Sequence, residues 1–161
     1  SFPTRRSSDL ISSSILRQEL AIKNRGDIHL MQLNRGAFDA APISMVSQAT
    51  LDHLSATYGD ALDLRRFRIN IIVDSFDETP YVEDTWIDYS VSFGNQADAT
   101  KVLPVRPIKR CVMVNIDPDS AERDADVLKS VLKSRDNCVG TYAWPRHVGE
   151  ISVGDPIFIG A

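Results

Sequence analysis

The sequence predicts a mainly β fold of the barrel type, carrying two or three short helices. Three observations predict it. Short apolar runs rich in β-branched residues recur along the chain, and Gly, Pro, Asn and Asp interrupt them at close intervals. Only two stretches carry apolar residues at helical spacing. The 161 residues suit one domain with a core of its own, and no repeat of 20 to 50 residues is visible.

Taken in order, Ser1 to Leu10 (SFPTRRSSDL) reads as a non-native leader, a translated adaptor remnant, and is set aside. Residues 11–25 have a helical flavour without clear continuation, and the domain is expected over 26–161. After Pro42, Ile43 to Val46 predicts a strand. Ser47 then opens a helix in which Leu51, Leu54 and Tyr58 fall on one face and Gly59 stops the turn. Arg68 to Val73 (RINIIV) predicts a strand, and the acidic stretch from Asp74 to Asp84 a loop. Strands are expected at Trp86 to Phe93, ended by Gly94-Asn95, and at Lys101 to Val105. Another is expected at Cys111 to Ile116, with Pro104 and Pro107 keeping the join irregular. Ala121 to Arg135 predicts a helix with Val127, Val131 and Leu132 on its apolar stripe. The tail predicts strands at Cys138 to Trp144, Glu150 to Val153 and Pro156 to Ile159, with a turn at Gly154-Asp155.

Composition narrows function by exclusion. With 18 basic and 22 acidic side chains the formal charge is -4, which argues against a nucleic-acid footprint. No apolar run is long enough for a membrane helix, and the start has no secretory signal, so a reducing cytoplasmic setting is expected. The two cysteines, Cys111 and Cys138, are too few for an iron–sulfur cluster or a disulfide framework. No GxGxxG, GxxxxGK[ST] or GxSxG occurs.

Two segments carry candidate chemistry. On a period-two strand, Arg68 and Asn70 would share a face about 7 Å apart. That suits a guanidinium gripping a phosphate while an amide reads a ring edge. Arg65 and Arg66 lie just ahead and add to the cationic cluster; a solvated strand edge fits the same pattern. In the second segment Cys111 follows Lys109 and Arg110, and neighbouring cations favour the thiolate that binds soft metals. Lys109, Cys111 and Met113 would share a strand face, although a buried structural cysteine fits as well. Asp39, just before the first strand, is a polar candidate at a cleft or equally a turn aspartate. Cys138 has no flanking cations, and His29, His53 and His147 show no metal-ligand spacing.

In order, FDAAPISMVSQATLDHL, FRIN, EDTW, RCVMVNIDPDS and GEISVGDPIFI resemble the MOSC family, named for the C-terminal domain of molybdenum cofactor sulfurase. The look is nearest to the branch containing the amidoxime-reducing component and its bacterial relatives, and it covers about residues 26–160. The resemblance implies a β-barrel that binds a pterin-based molybdenum cofactor (molybdopterin). It places Cys111 on the metal, Asp39 beside it, and Arg68 and Asn70 on the cofactor; Arg66, Lys109 and Arg110 are added as further cofactor-binding cations. It also implies an N-terminal β subdomain with a contributing lysine and arginine. No counterpart is seen here, so the domain is expected to be N-terminally truncated. Lys109 stands where that branch carries a small hydroxyl residue, and Ala40 and Ala41 where it carries hydroxyl side chains, so its substrate does not carry over.

The function implied is reduction of N-oxygenated small molecules, with electrons from a partner reductase or ferredoxin-like protein. The alternative is a non-catalytic module carrying persulfide sulfur on Cys111 or carrying cofactor. Pyridoxal phosphate is not expected, because in the sulfurase it sits on a separate aminotransferase-like domain for which this chain has no room.

Overall fold

The computed structural model describes residues 14–24, 40–76 and 78–160. The chain divides into two compact units, Ser1–Ala37 and Phe38–Ala161. In the first, the described part is one helix, α1 (Ser14–Asn24), within the stretch given a helical flavour from sequence. The leader Ser1 to Leu10, the candidate Asp39, and His29 lie outside the described residues.

The second unit is built on one six-stranded sheet. Its strands are β1 (Ile43–Ser47), β2 (Ile71–Val73), β3 (Ser90–Phe93), β4 (Thr100–Lys109), β5 (Cys138–His147) and β6 (Ile157–Gly160). They lie side by side in the order β2-β1-β5-β4-β3-β6. β1 and β2 pair in parallel, joined through helix α2 (Gln48–Tyr58); every other pair is antiparallel. The sheet is curled into a half-barrel with β2 and β6 as its edges. Three 3-10 turns, η1 (Leu64–Phe67), η2 (Val82–Trp86) and η3 (Val112–Asn115), and helix α3 (Ala125–Ser134) complete the unit.

The helix ends follow from their capping chemistry. Ser47 leaves the strand in extended backbone, and its hydroxyl accepts from the Thr50 amide at 3.2 Å. Gly59 closes α2 at φ 99°, donating its N–H to Ser55 at 2.9 Å. α3 begins at Ala125, four residues later than the sequence suggested, because Asp124 caps the Asp126 amide at 2.9 Å. Its buried side is Val127, Ser130 and Val131, with Leu128 packed alongside; Leu132 falls on the outer side and is 54% exposed.

Neighbouring residues of β1 point to opposite faces, so the sheet has two cores. Val46 joins Leu51, Leu54, Phe67, Val114, Val127, Val131 and Val139 beneath the helices. Met45 joins Val73, Trp86, Val91, Phe93, Val102 and Ala143 on the other side. At Gly140 the two strands come so close that an added Cβ would lie 2.5 Å from the Met45 carbonyl oxygen. Its φ of 73° also favours glycine.

Five strand expectations change. Pro104 and Pro107 do not separate two strands but lie inside β4, where register shifts beside each accommodate the missing donors. Trp86 is not in a strand: it is buried in η2, and Asp88 turns the chain at φ 68° before β3 starts. Residues 150–153 are not a strand, because Asp155 accepts from the Ser152 amide at 2.7 Å and closes a local turn instead. The segments around Arg68 and Cys111 are turns, with consequences for the site.

Candidate functional site

The Arg68–Asn70 corner is made by a turn. Asp63 caps η1 by accepting from the Arg65 amide at 2.9 Å. Arg68 ends the turn in the left-handed region at φ 50°, ψ 43°, a conformation that costs a non-glycine residue about 1 kcal/mol. Ser44 of β1 pins the chain on either side of Ile69. Its hydroxyl reaches the Arg68 carbonyl at 3.2 Å, and its amide donates to Asn70 Oδ1 at 2.9 Å. The Asn70 amide returns a bond to Ser44 Oγ at 3.0 Å. Arg68 and Asn70 therefore come together as the sequence suggested, but by a turn pinned to β1 and not by strand alternation. Nothing in the sequence marks Ser44 beyond its place in a predicted strand.

Both residues line one hollow of about 530 Å³ with Leu64, Arg65, Ile69 and Ile72. A hollow of about 630 Å³ on the far side, walled by Phe93, Thr100, His147 and Pro156, holds none of the expected site residues. The polarity of the Arg68 hollow is one-sided. With Oδ1 committed to Ser44, Asn70 offers only its Nδ2 donors. Arg68 is exposed and makes no ion pair among the described residues, whereas Arg65 is held by Asp63 and Asp119. A ligand there meets donors and positive charge, so it must present oxygen or nitrogen acceptors.

Arg66 does not face the hollow. Its guanidinium, 11% exposed, pairs with Asp117 at 2.8 Å and so fastens η1 to the chain after η3. Asp117 also accepts from the amides of Ser120 at 2.9 Å and Asp119 at 3.0 Å. Those two N–H groups, more than the Arg66 charge, hold its carboxyl below the usual range.

Cys111 is not in a strand. β4 ends at Lys109, so Lys109, Cys111 and Met113 do not share a strand face. Cys111 sits at the N-cap of η3, exposed, and the next two residues, Val112 and Met113, are exposed at 66% and 60%. The structure thus excludes a thiol sealed in the core. Lys109 is exposed at the strand end with Cys138, a half-buried free thiol, as its Cα partner.

Arg110 lies between the two corners. Its Nη1 donates to the Phe67 carbonyl at 2.8 Å, while Nε and Nη2 both donate to the Val139 carbonyl, at 3.1 and 2.7 Å. The guanidinium also lies over the Phe67 ring, 5.6 Å from its centre. Burial pulls Arg110 down to about 10, opposed by Tyr142 and the two cysteines nearby. Since Arg68 follows Phe67 and Cys111 follows Arg110, one hydrogen bond joins the residues next to both.

The EDTW motif gives no sign from sequence of what Glu83 does. Glu83 is fully buried, and its Oε2 accepts from the hydroxyls of Ser47 at 2.8 Å and Thr50 at 2.9 Å, tying η2 to the start of α2. His53 packs edge-on against Tyr81, and His147 Nδ1 meets the Ala99 carbonyl at 2.8 Å. Among the described residues no three His, Cys, Asp or Glu side chains cluster as a metal site. Nor is any described helix long and apolar enough to cross a membrane.

The sequence profile of the MOSC domain matches residues 27–158. Similar curated proteins include mitochondrial amidoxime reducing component 2 of Bos taurus, 28% identical over 133 residues, covering 74% of this chain and 37% of that protein. Mitochondrial amidoxime-reducing component 1 of Homo sapiens is 25% identical over 134 residues, covering 75% and 37%. That of Danio rerio is 24% identical over 129 residues, covering 74% and 37%. The chain spans about 37% of the length of these relatives.

Proposed function

The chain belongs to the MOSC domain family, and on that premise we propose that it binds a pterin-based molybdenum cofactor and takes part in reducing N-oxygenated small molecules. The observation that carries this is an exposed thiol, Cys111, linked through Arg110 to a half-apolar hollow whose polar side chains offer donors and positive charge.

The donor set fits the group. A thiolate is the soft ligand a redox-active transition metal takes, and solvent exposure leaves Cys111 free to ligate. Arg68 is the group to grip a phosphate, and Asn70 Nδ2 to donate to an acceptor edge of the pterin. Bound, the cofactor supplies two-electron redox chemistry. The chain's own residues bind and orient: Ser44 fixes the Asn70 amide, and Arg66–Asp117 fixes η1 against η3. Electrons come from a partner protein, and a role for Asp39 at the metal is part of the proposal, both as the resemblance implies. The relatives' names, amidoxime reducing components, point to the same substrate class.

The test is metal and pterin content after expression in a host that makes the cofactor, followed by turnover of a hydroxylamine with a chemical reductant. Bound molybdenum near one per chain is expected. Its absence under those conditions defeats the proposal. A second reading, a persulfide carrier, is favoured by the same exposed thiol and predicts added sulfur mass on Cys111 without metal or turnover.

A further inference from the structure

Arg110 precedes Cys111 and so groups by sequence with the cofactor-binding cations, yet its contacts assign it a different task. Three of its five N–H groups go to main-chain carbonyls on two different elements, Phe67 at the end of η1 and Val139 in β5. Its own backbone is held as firmly. The Arg110 amide donates to the Asn137 carbonyl at 2.8 Å, and Asn137 Nδ2 donates to the Arg110 carbonyl at 2.6 Å. The residue is thus fixed at both ends, and it stands where β4 stops and η3 starts.

We propose that Arg110 is a positioning residue: its forked guanidinium holds the start of η3, and with it Cys111, in register with the Arg68–Asn70 corner, and it does not itself grip the cofactor. The geometry requires a fork. Phe67 O and Val139 O belong to separate elements, and a planar guanidinium reaches both while an ammonium offers a single donating point. The clamp matters because η3 is only four residues long and has few bonds of its own. Val114 N–H donates to Cys111 O at 3.2 Å and Ile116 N–H to Met113 O at 3.1 Å. Toward its C-terminal end η3 is held by the Asp124 amide on the Asn115 carbonyl at 2.8 Å, by Asn115 Oδ1 accepting from the Leu128 amide at 2.9 Å, by the buried Val114 and by the long Arg66 Nη1 contact to Val114 O at 3.5 Å; the Arg110 clamp acts at its start, where Cys111 sits.

The positioning claim stands on the chain alone; its consequence for cofactor rests on the proposed function above. Hydrogen exchange and molybdenum content, measured together on Arg110→Lys, Arg110→Met and Val127→Ala, separate the two. Val127 is fully buried on α3, in the cluster that holds Leu51 and Leu54 of α2 as well as Val114 of η3, so Val127→Ala supplies a general loss of stability for comparison. In Arg110→Lys the peptide covering residues 111–117 should exchange about tenfold faster, as expected when the bonds holding a local segment are lost, with α2 unchanged. Val127→Ala should speed both. Should neither Arg110 variant fold, Asn137→Gly tests the other end of the clamp. Asn137 sits at φ 63°, which glycine accepts, and the same peptide should again loosen selectively.

For the cofactor, Arg110→Lys should lose molybdenum as completely as Arg110→Met, because lysine keeps the charge but not the fork. If Arg110→Lys retains molybdenum, or if residues 111–117 stay as protected as in the wild type, the positioning role is wrong. If the wild type holds no molybdenum while the peptide loosens as expected, the clamp stands and the cofactor assignment fails.

Discussion

Asn70 shows how one side chain's hydrogen bonds decide what a hollow can accept. Its oxygen is taken by the Ser44 amide and hydroxyl, so the nitrogen is what it presents to a ligand. Asn70→Asp keeps an oxygen for Ser44 but replaces the donors with a negative charge beside Arg68. Its thermal stability should stay within about 0.5 kcal/mol of the wild type, as for an exposed substitution that preserves its local bonds. Pterin content, read from fluorescence after oxidation, should drop about tenfold or more, the effect of turning a donor into a repelling anion. Unchanged pterin content would mean that Asn70 does not meet the cofactor. The residue types at this corner were legible in FRIN. Their geometry was not, because the left-handed Arg68 and the Ser44 bonds are set by packing on β1, 24 or more residues away in sequence.

At the scale of elements, the turns after β4 and before β2 do what strands were expected to do. The α2 boundaries were readable because a serine cap and a glycine stop act locally. The segments RINIIV and CVMVNI read as strands because they are apolar and β-branched. Within the first, Ile71 to Val73 is indeed strand β2, and only Arg68 to Asn70 is a turn; the second is the turn η3, whose Val114 packs with Phe67 in one cluster, and the turns are pinned by Arg66, Asp117 and Arg110. Asp117, held by the Ser120 and Asp119 amides and, to a smaller extent, by the Arg66 charge, makes a pH prediction. Asp117 has a folded-state value below its usual one, so between the two values the unfolded chain binds more protons than the native state. The stabilisation is therefore complete above the usual carboxyl range and is lost as pH falls through the folded value. Asp117→Asn should melt below the wild type at neutral pH, and the gap should close on acidification. A gap independent of pH would show that the charge contributes nothing.

Across the second unit, the sheet keeps two cores apart by alternation in β1, while β5 gives Val139 to one core and Ala143 to the other, and the site grows on the helical side, where η1, η3 and β5 meet. The mainly β class and its few helices were legible from turn spacing and β-branched runs. The curl and the strand order were not, since the β1–β2 parallel pairing and the bulges in β4 are long-range features. The motifs in order led to the same family as the profile over residues 27–158. The proposed cofactor site depends on the Cys111 sulfur as a metal ligand, and X-ray absorption at the molybdenum edge tests that most directly. Wild type and Cys111→Ser, each loaded with cofactor, should differ by one sulfur neighbour around molybdenum, with the thiolate lost in the variant. Identical sulfur shells in the two proteins would contradict it.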